Sequence, residues 1–339
     1  MSHVHPKTRS ILDTVGDTPL VELHHFEAPA GVRLFAKLEG QNPTGSVKDR
    51  IVLHMLQHAQ EDGCLRPGDT VVEASTGNTA IALAMMGRAL GYRVRVVMPE
   101  NVYPEIPRAV DAYGAEKIWV PAEQGVKGAI EEAWRLAKSE GCLMLDQFGN
   151  QHNCLAHYET TGPEILADLP RVDVFVAGLG TGGTLMGVGR RLKEANPDTQ
   201  VVAVEPHPGF QLQGLKSLSD GFLPPILDRS LLDGKILVRS GQALTATRRL
   251  LEREGIFGGV SSGAVLHAGL RWVQRLRSGP PRRVVLLFAD AGWKYLGSPA
   301  FAPPAEGASA SGGEAHPPSE DGGPLPEGEE EALDDVIWW

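Results

Sequence analysis

QNPTGSVKDR, running from Gln41 to Arg50, reads as a loop that turns into a helix with a single lysine at the junction. Asn42-Pro43 and Thr44-Gly45 are turn formers. Ser46 suits the N-cap of a helix whose apolar positions are Val47, Ile51, Met55 and Leu56. Lys48 then falls in the first helical turn, where the positive end of the helix dipole disfavours a cation. The same field lowers an amine's pKa, which is what a lysine that forms a Schiff base needs. The simpler reading of a lone lysine is a solvated surface charge.

Around this stretch the chain alternates regularly. Extended segments are predicted at GDTPLVEL (Gly16 to Leu23), VRLFAKLE (Val32 to Glu39), TVVEA, VRVVM, EKIWV, CLML, VDVFVAG, QVVAVE, KILV and RVVLLFA. Between them, helices are predicted from Ser46, at Asn78 to Leu90, after Pro104, at Gly125 to Ser139, Asn153 to Leu169, Thr184 to Ala195, Ala243 to Glu254 and Ser262 to Leu276. Valine-rich strands alternating with helices predict an α/β architecture with mostly parallel sheets, whose ligands sit at the carboxyl ends of the strands.

A chain of 339 residues has room for two domains of ordinary size, and 42% hydrophobic with 22% charged residues is the composition of a soluble globular protein. MSHVHPKTRS carries no apolar signal core, and no apolar run is long enough to span a bilayer. Cys64, Cys142 and Cys154 form no CxxC pair and read as reduced thiols of a cytoplasmic protein. The net charge of −10 lies in the tail, where Pro303 to Trp339 holds ten acids and no Lys or Arg. The remaining body is neutral, which argues against a nucleic-acid or membrane surface. No metal site is read. The tail, 303–339, is rich in Pro, Gly, Ser, Ala and Glu and is expected to be a disordered tether. It ends in ALDDVIWW, an apolar tip.

Three further loops open helices. ASTGNT, Ala74 to Thr79, follows a strand, and its hydroxyls and free N–H groups suit an anion such as a carboxylate, or serve simply as a cap by Ser75 or Thr76. GLGTGGTLMG, Gly178 to Gly187, offers glycines that let the backbone approach a phosphate. Gly178-x-Gly180-x-x-Gly183 also fits a dinucleotide fingerprint, with Glu205 near the position of a ribose-binding acid. That fingerprint would lie unusually deep in the chain and leave the lysine loop without a role. GGVSSGA, Gly258 to Ala264, is the third loop-to-helix junction.

Taken together, NPTGSVKDR, ASTGNT, GTGGT and GGVSSGA, in this order, resemble the cysteine synthase family of fold-type-II pyridoxal-phosphate (PLP) enzymes over Asp13 to about Phe301. The resemblance implies two three-layer α/β domains, tryptophan synthase β-like, with the cofactor in the cleft between them. Residues 1–41 would add an arm and strand to the larger domain, 42–150 would form a smaller, mobile domain that binds the substrate carboxylate, and 151–302 the larger domain that holds the PLP phosphate. It implies Lys48 as the catalytic, cofactor-bearing lysine and Gly180, Thr181, Gly182, Gly183 and Thr184 as a phosphate cup. Asn78 would bond the ring hydroxyl and Ser261 face the pyridine nitrogen. The substrate carboxylate would sit on Ser75, Thr76, Gly77, Thr79 and Gln147, with Thr76 where the family usually has serine and Gln151 where DQFGNQHN departs from a family proline. HYETTGPEI (His157 to Ile165) and FADAGWKYL (Phe288 to Leu296) are family-like and read mainly as structural.

GLKSLSDGF (Gly214 to Phe222), GIFGGVSSGAVLHA and DAGWKYL look most like the cysteine synthases that use O-phosphoserine and take sulfur from the thiocarboxylate of a ubiquitin-like carrier protein. In those an arginine at the place of Lys216 binds the phosphate, and lysine keeps its charge without the bidentate fork. The implied reaction is β-replacement through an aminoacrylate, giving L-cysteine in a homodimeric enzyme. The alternatives are O-acetylserine as donor, cystathionine or diaminopropionate synthesis, a nicotinamide-dependent oxidoreductase, and a non-catalytic binding protein. Ile337, Trp338 and Trp339 are expected to fold back as a lid over the site.

Overall fold

In a computed structural model of the chain, the described residues are 10–221, 223–276, 280–301 and 336–338. In chain order the strands and helices are β1 (Leu20–Leu23), β2 (Val32–Leu38), α1 (Lys48–Glu61), β3 (Thr70–Ala74), α2 (Asn78–Leu90), β4 (Arg93–Pro99), α3 (Glu105–Ala112), β5 (Glu116–Val120), α4 (Gly125–Glu140), β6 (Leu143–Met144) and α5 (His152–Ala156). They continue with α6 (Gly162–Asp168), β7 (Val174–Gly178), α7 (Gly183–Ala195), β8 (Gln200–Pro206), β9 (Gly234–Val238), α8 (Ser240–Glu254), α9 (Val260–Val273), β10 (Arg282–Phe288) and β11 (Val336–Trp338). Each strand and helix expected from the sequence pattern is present, with ends shifted by a few residues.

Two sheets form. The larger has seven strands in the order β1-β2-β10-β7-β8-β9-β11, and the smaller four in the order β5-β4-β3-β6. From β2 to β9 the larger sheet is parallel, with β1 and β11 antiparallel at its edges. Alternate residues of its strands enter two cores, as the two-residue strand period requires. Val174, Val176, Val202, Val204, Val284 and Leu286 pack under α8 and α9. Phe175, Ala177, Val201, Ala203, Val285 and Leu287 pack under α6 and α7. In the smaller sheet, Val71, Val94 and Val96 face α1 and α2, while Val72, Ala74 and Val97 face α4. Both sheets are thus the middle layer of an α/β/α sandwich.

Three details depart from the sequence reading. The single helix expected over Asn153 to Leu169 is interrupted by a π turn at His157–Thr161. Pro163, at the start of α6, has no N–H to continue the α pattern, and the wider turn accommodates the missing donor. At α1 the N-cap position is Val47, not Ser46, although Ser46 Oγ still accepts from the Lys48 N–H at 3.3 Å. Asp49 reaches back instead, accepting from the Thr44 N–H at 2.7 Å and from the Thr44 hydroxyl. The third departure is the tail tip. Val336–Trp338 lies antiparallel to β9, with Ile337 opposite Lys235 and Trp338 opposite Gly234, the first residue of β9. The strand therefore runs away from the carboxyl ends of the parallel strands, and a lid at the site mouth would require it to leave the sheet. Residues 302–335 and Trp339, where the tether and the end of the lid were expected, lie outside the described residues.

A buried ion cluster clamps α1 in place. Arg50, 3% exposed, donates to Glu39 through Nε at 2.6 Å and to Glu164 through both terminal nitrogens at 2.6 and 2.7 Å. Lys37 Nζ joins at 2.7 Å from Glu164. Burial alone would raise the Glu39 carboxyl, but the Arg50 guanidinium outweighs it and holds Glu39 below the usual range. Strand β2, helix α1 and helix α6 are thereby tied together one turn from Lys48.

Candidate active site

Strands β2 and β10 are neighbours, so the loops leaving their carboxyl ends are pressed together. The Val47 N–H donates to the Ala289 carbonyl at 2.8 Å and the Ala291 N–H to the Gly45 carbonyl at 3.0 Å. This pairing sets Lys48 beside Asp290. Both line one cavity together with Val47, Asn78, Gly180, Thr181, Gly182, Thr184, Gly214, Leu215 and Ser261. Enclosure by protein lowers the Lys48 amine to about 8, opposed by the Asp290 carboxylate. Burial, more than the helix dipole, is what depresses it.

The smaller sheet meets the larger at this point. Asn78, first residue of α2, donates through Nδ2 to Asp290 Oδ2 at 2.7 Å and accepts through Oδ1 from Lys294 Nζ at 2.6 Å. The Tyr295 hydroxyl donates to the same Asp290 oxygen. Burial raises the Asp290 carboxyl, opposed by Lys294 and these donors. FADAGWKYL, read from sequence as structural, thus supplies Asp290, Lys294 and Tyr295 to the site. Its only sequence signal was a cluster of charged and aromatic residues after the last valine-rich strand.

The glycine loop leaving β7 forms a cup. Gly182 has φ +91°, a conformation that favours glycine, and a side chain at Gly180 would press against the Gly214 carbonyl at 2.9 Å. A Cβ on Gly183 would fall 1.9 Å from Asn153 Oδ1. Asn153 in turn donates to Thr181 Oγ1 at 2.9 Å and to the Gln147 carbonyl at 2.7 Å. Thr184 Oγ1 lies 3.1 Å from His157 Nε2, and the other nitrogen of that ring lies 2.9 Å from Thr161 Oγ1. Burial, then the nearby Arg50 and Lys48 cations, hold His157 well below the usual histidine range, so the ring is neutral. HYETTGPEI, another segment read as structural, therefore also braces the cup.

The carboxylate-loop residues are placed differently. Ser75 Oγ accepts from the Gly77 and Ala80 N–H groups, each at 3.2 Å, which is a capping role. Thr79 donates to Gln147 Oε1 at 2.7 Å, and Gln147 Nε2 donates to the Ala74 carbonyl at 2.9 Å. Thr76 and Gly77 are half-buried at the turn between them. Ser75, Thr76, Gly77, Thr79 and Gln147 form one connected unit next to Asn78 without lining the cavity itself. Gln147 follows Asp146, a non-glycine residue at φ +54°. Lys216 is half-buried; its N–H donates to the Leu179 carbonyl at 2.7 Å, one residue beyond the cavity-lining Leu215.

Beneath this unit lies Glu73, fully buried, accepting from the Ala74 and Gln147 N–H groups at 2.8 and 3.2 Å. Burial pushes its carboxyl up to about 8. The native state therefore prefers the protonated form. The stability this confers is fully present below the unfolded carboxyl value and is lost as pH rises through about 8. Glu73→Gln is expected to flatten that slope, which is worth at most about 1.4 kcal/mol per pH unit inside the window. Melting curves of both proteins from pH 5 to 8.5 check this, and parallel pH profiles would count against it.

A family described as "Pyridoxal-phosphate dependent enzyme" matches residues 11–290. The chain belongs to that family. It is 42% identical over 295 residues to cysteine synthase B of Pseudomonas aeruginosa, covering 87% of this chain and 98% of that one. Among solved structures it resembles O-ureido-L-serine synthase, with a TM-score of 0.82 and 38% identity, over 93% of this chain and 98% of that one. It also resembles a cysteine synthase from Entamoeba histolytica, with a TM-score of 0.82 and 34% identity, over 91% and 95% of the two chains. The protein is a PLP-dependent enzyme of the cysteine synthase group, with the two-domain type II fold.

The site fits that cofactor. A cavity with a depressed lysine amine at one end has at the other a glycine cup at a helix N-terminus that side chains would fill. Beside it, Asp290 Oδ1 and Asn153 Oδ1 are buried with no hydrogen-bond partner among the described residues. The nicotinamide reading of the glycine loop gives way. Glu205, its candidate ribose acid, is fully buried, pairing with Lys235 at 3.1 Å and accepting from the Leu218 N–H at 2.9 Å. Among the described residues no helix is long and apolar enough to cross a membrane.

Proposed function

We propose that this enzyme makes L-cysteine by β-replacement on an O-activated L-serine, with O-phosphoserine the preferred donor. The observation that carries the β-replacement reading is the depressed amine of Lys48 set against Asp290, Asn78 and the glycine cup in one cavity. PLP, when bound, supplies the electron sink that makes a substrate Cα proton acidic. Lys48 would hold it through its amine, the backbone N–H groups of Gly182 to Thr184 would take its phosphate, and Ser261 would meet its ring nitrogen. The Lys48 amine would take the substrate Cα proton as the β-substituent departs and give it back to Cα once sulfur has added. Thr76, Gly77 and Gln147 orient the substrate carboxylate, with Ser75 and Thr79 bracing them.

The leaving group is read from Lys216, a cation next to the cavity wall that would stabilise departing phosphate. O-acetylserine is the second reading, supported by the likeness to the solved structure of O-acetyl serine sulfhydrylase isoform 3 from Entamoeba histolytica. The sulfur comes from sulfide or from a carrier-protein thiocarboxylate, and the enzyme is proposed to act as a homodimer. The test is L-cysteine formation and the visible absorbance change of the PLP-loaded protein with each donor separately. Lys216→Ala is expected to lower kcat/KM for O-phosphoserine about 10- to 100-fold, the worth of one hydrogen bond to a charged group. Turnover of O-acetylserine should hardly change. Equal losses with both donors, or response to O-acetylserine alone, would refute the phosphate reading while leaving β-replacement intact.

A further inference from the structure

Three imidazoles meet on the flank of α1 away from the cofactor cavity. His54 and His58 lie one turn apart on that helix, and His152 opens α5. One ring nitrogen of each lies within 4.8 Å of the others. The ring centroids are 4.4 Å apart for His54 and His58, 4.1 Å for His58 and His152, and 5.4 Å for His54 and His152. The cluster opens to solvent at His58, whose side chain is 33% exposed, while that of His54 is 10% exposed.

Their hydrogen bonding is lopsided. His54 Nε2 lies 3.0 Å from Glu159 Oε2, and His58 Nδ1 lies 3.2 Å from Glu61 Oε2. His54 Nδ1 and His152 Nδ1 are buried with no hydrogen-bond partner among the described residues. Buried polar atoms are nearly always satisfied, so two orphaned ring nitrogens in one cluster call for an explanation. An imidazole with one nitrogen on a carboxylate and the other unfilled is the arrangement of histidine in metal sites, where the carboxylate orients the ring and raises its basicity.

We propose that His54, His58 and His152 bind a borderline transition-metal dication, Zn²⁺ above all. Three imidazoles without thiolate suit zinc, with water completing a tetrahedron. Nitrogens bound to one such ion at about 2.0–2.1 Å stand roughly 3.4 Å apart, so the cluster closes slightly on binding. His58, on its exposed side, has room to rotate. The neighbours explain what the ion would do. Helix α1 begins at Lys48, and Asn153, adjacent to His152, bonds both Gln147 and Thr181. An ion here clamps the lysine helix to the segment that supports the phosphate cup.

The test uses the full-length, PLP-loaded protein, stripped of metal with a chelator and titrated calorimetrically with zinc chloride alone. One ion per chain is expected at micromolar zinc, with a rise in melting temperature. His58→Ala and His152→Ala should each weaken binding at least about tenfold, and Glu159→Gln by about 10-fold or more, the usual effect of losing an outer partner. X-ray absorption of the zinc-loaded wild type should show imidazole nitrogen and oxygen. Because His58 is partly exposed, His58→Ala is expected to fold, which circular dichroism checks. Should His152→Ala fail to fold, His58→Ala and the wild-type spectrum decide. Absence of binding at micromolar zinc, unchanged affinity in His58→Ala, or a sulfur-ligated ion would each overturn the site.

Discussion

Replacing Lys48 by alanine is expected to lower β-replacement turnover about 10³- to 10⁴-fold while leaving the fold intact. The cavity is lined by one amine among the described residues, and it is this one. Lys294, the other buried amine nearby, cannot substitute. Its Nζ is held 2.6 Å from Asn78 Oδ1 and lies over the Trp293 ring, 5.3 Å from the centroid. Lys48 is suited to accept a proton because burial lowers its pKa to about 8, placing the neutral amine within reach of ordinary working pH. Removing a cation that burial disfavours should leave the melting temperature nearly unchanged. The cofactor, no longer held through a lysine, should lose its lysine-linked visible band and wash out on dialysis. A variant with near wild-type rate would refute the role of Lys48.

Arg50→Ala is expected to have the largest effect on stability, about 3–5 kcal/mol, and to lower the melting temperature on the order of 10 °C. Among the described residues the guanidinium is the only side chain that hydrogen-bonds both Glu39 and Glu164, and its loss leaves Glu39 fully buried with the Thr18 hydroxyl and the Asn42 amide but no cation bonded to it. Glu39 then needs protonation, so the variant should lose less stability at acidic than at neutral pH. In the wild type, by contrast, the held-down Glu39 carboxyl contributes stability that is lost as pH falls. Arg95 provides the contrast. It pairs with Glu116 and Glu140 at the surface, where the partners' side chains are 57% and 43% exposed, and Arg95→Ala should cost at most about 1 kcal/mol. Thermal melts of both variants across pH 5 to 8 measure the difference. Equal small losses would mean that the buried cluster contributes no more than a surface pair.

The local patterns in this chain were enough to locate its elements. Near-continuous apolar runs mark β7, β8 and β10, because strands buried on two faces present apolar side chains to both. Glycine at 180, 182 and 183 marks the cup, since a positive φ and close backbone approach exclude other residues there. The turn at Asn42 to Gly45, followed by an amphipathic run, placed Lys48 at a helix start. What a residue touches across the molecule was not legible in that way. Asp290 meets Asn78, 212 positions away, because β10 lies beside β2 and the loops that leave them are pressed against the helix that follows β3. The same holds for His157 under Thr184 and for Arg50 between Glu39 and Glu164. It holds for the tail tip, which took the free edge of β9, and for His152 beside a helix that begins a hundred residues earlier. Periodicity records how each segment divides between core and solvent, and that division is set locally. Partners across a site depend on the order of strands in the sheets, which only the packing of the whole chain decides.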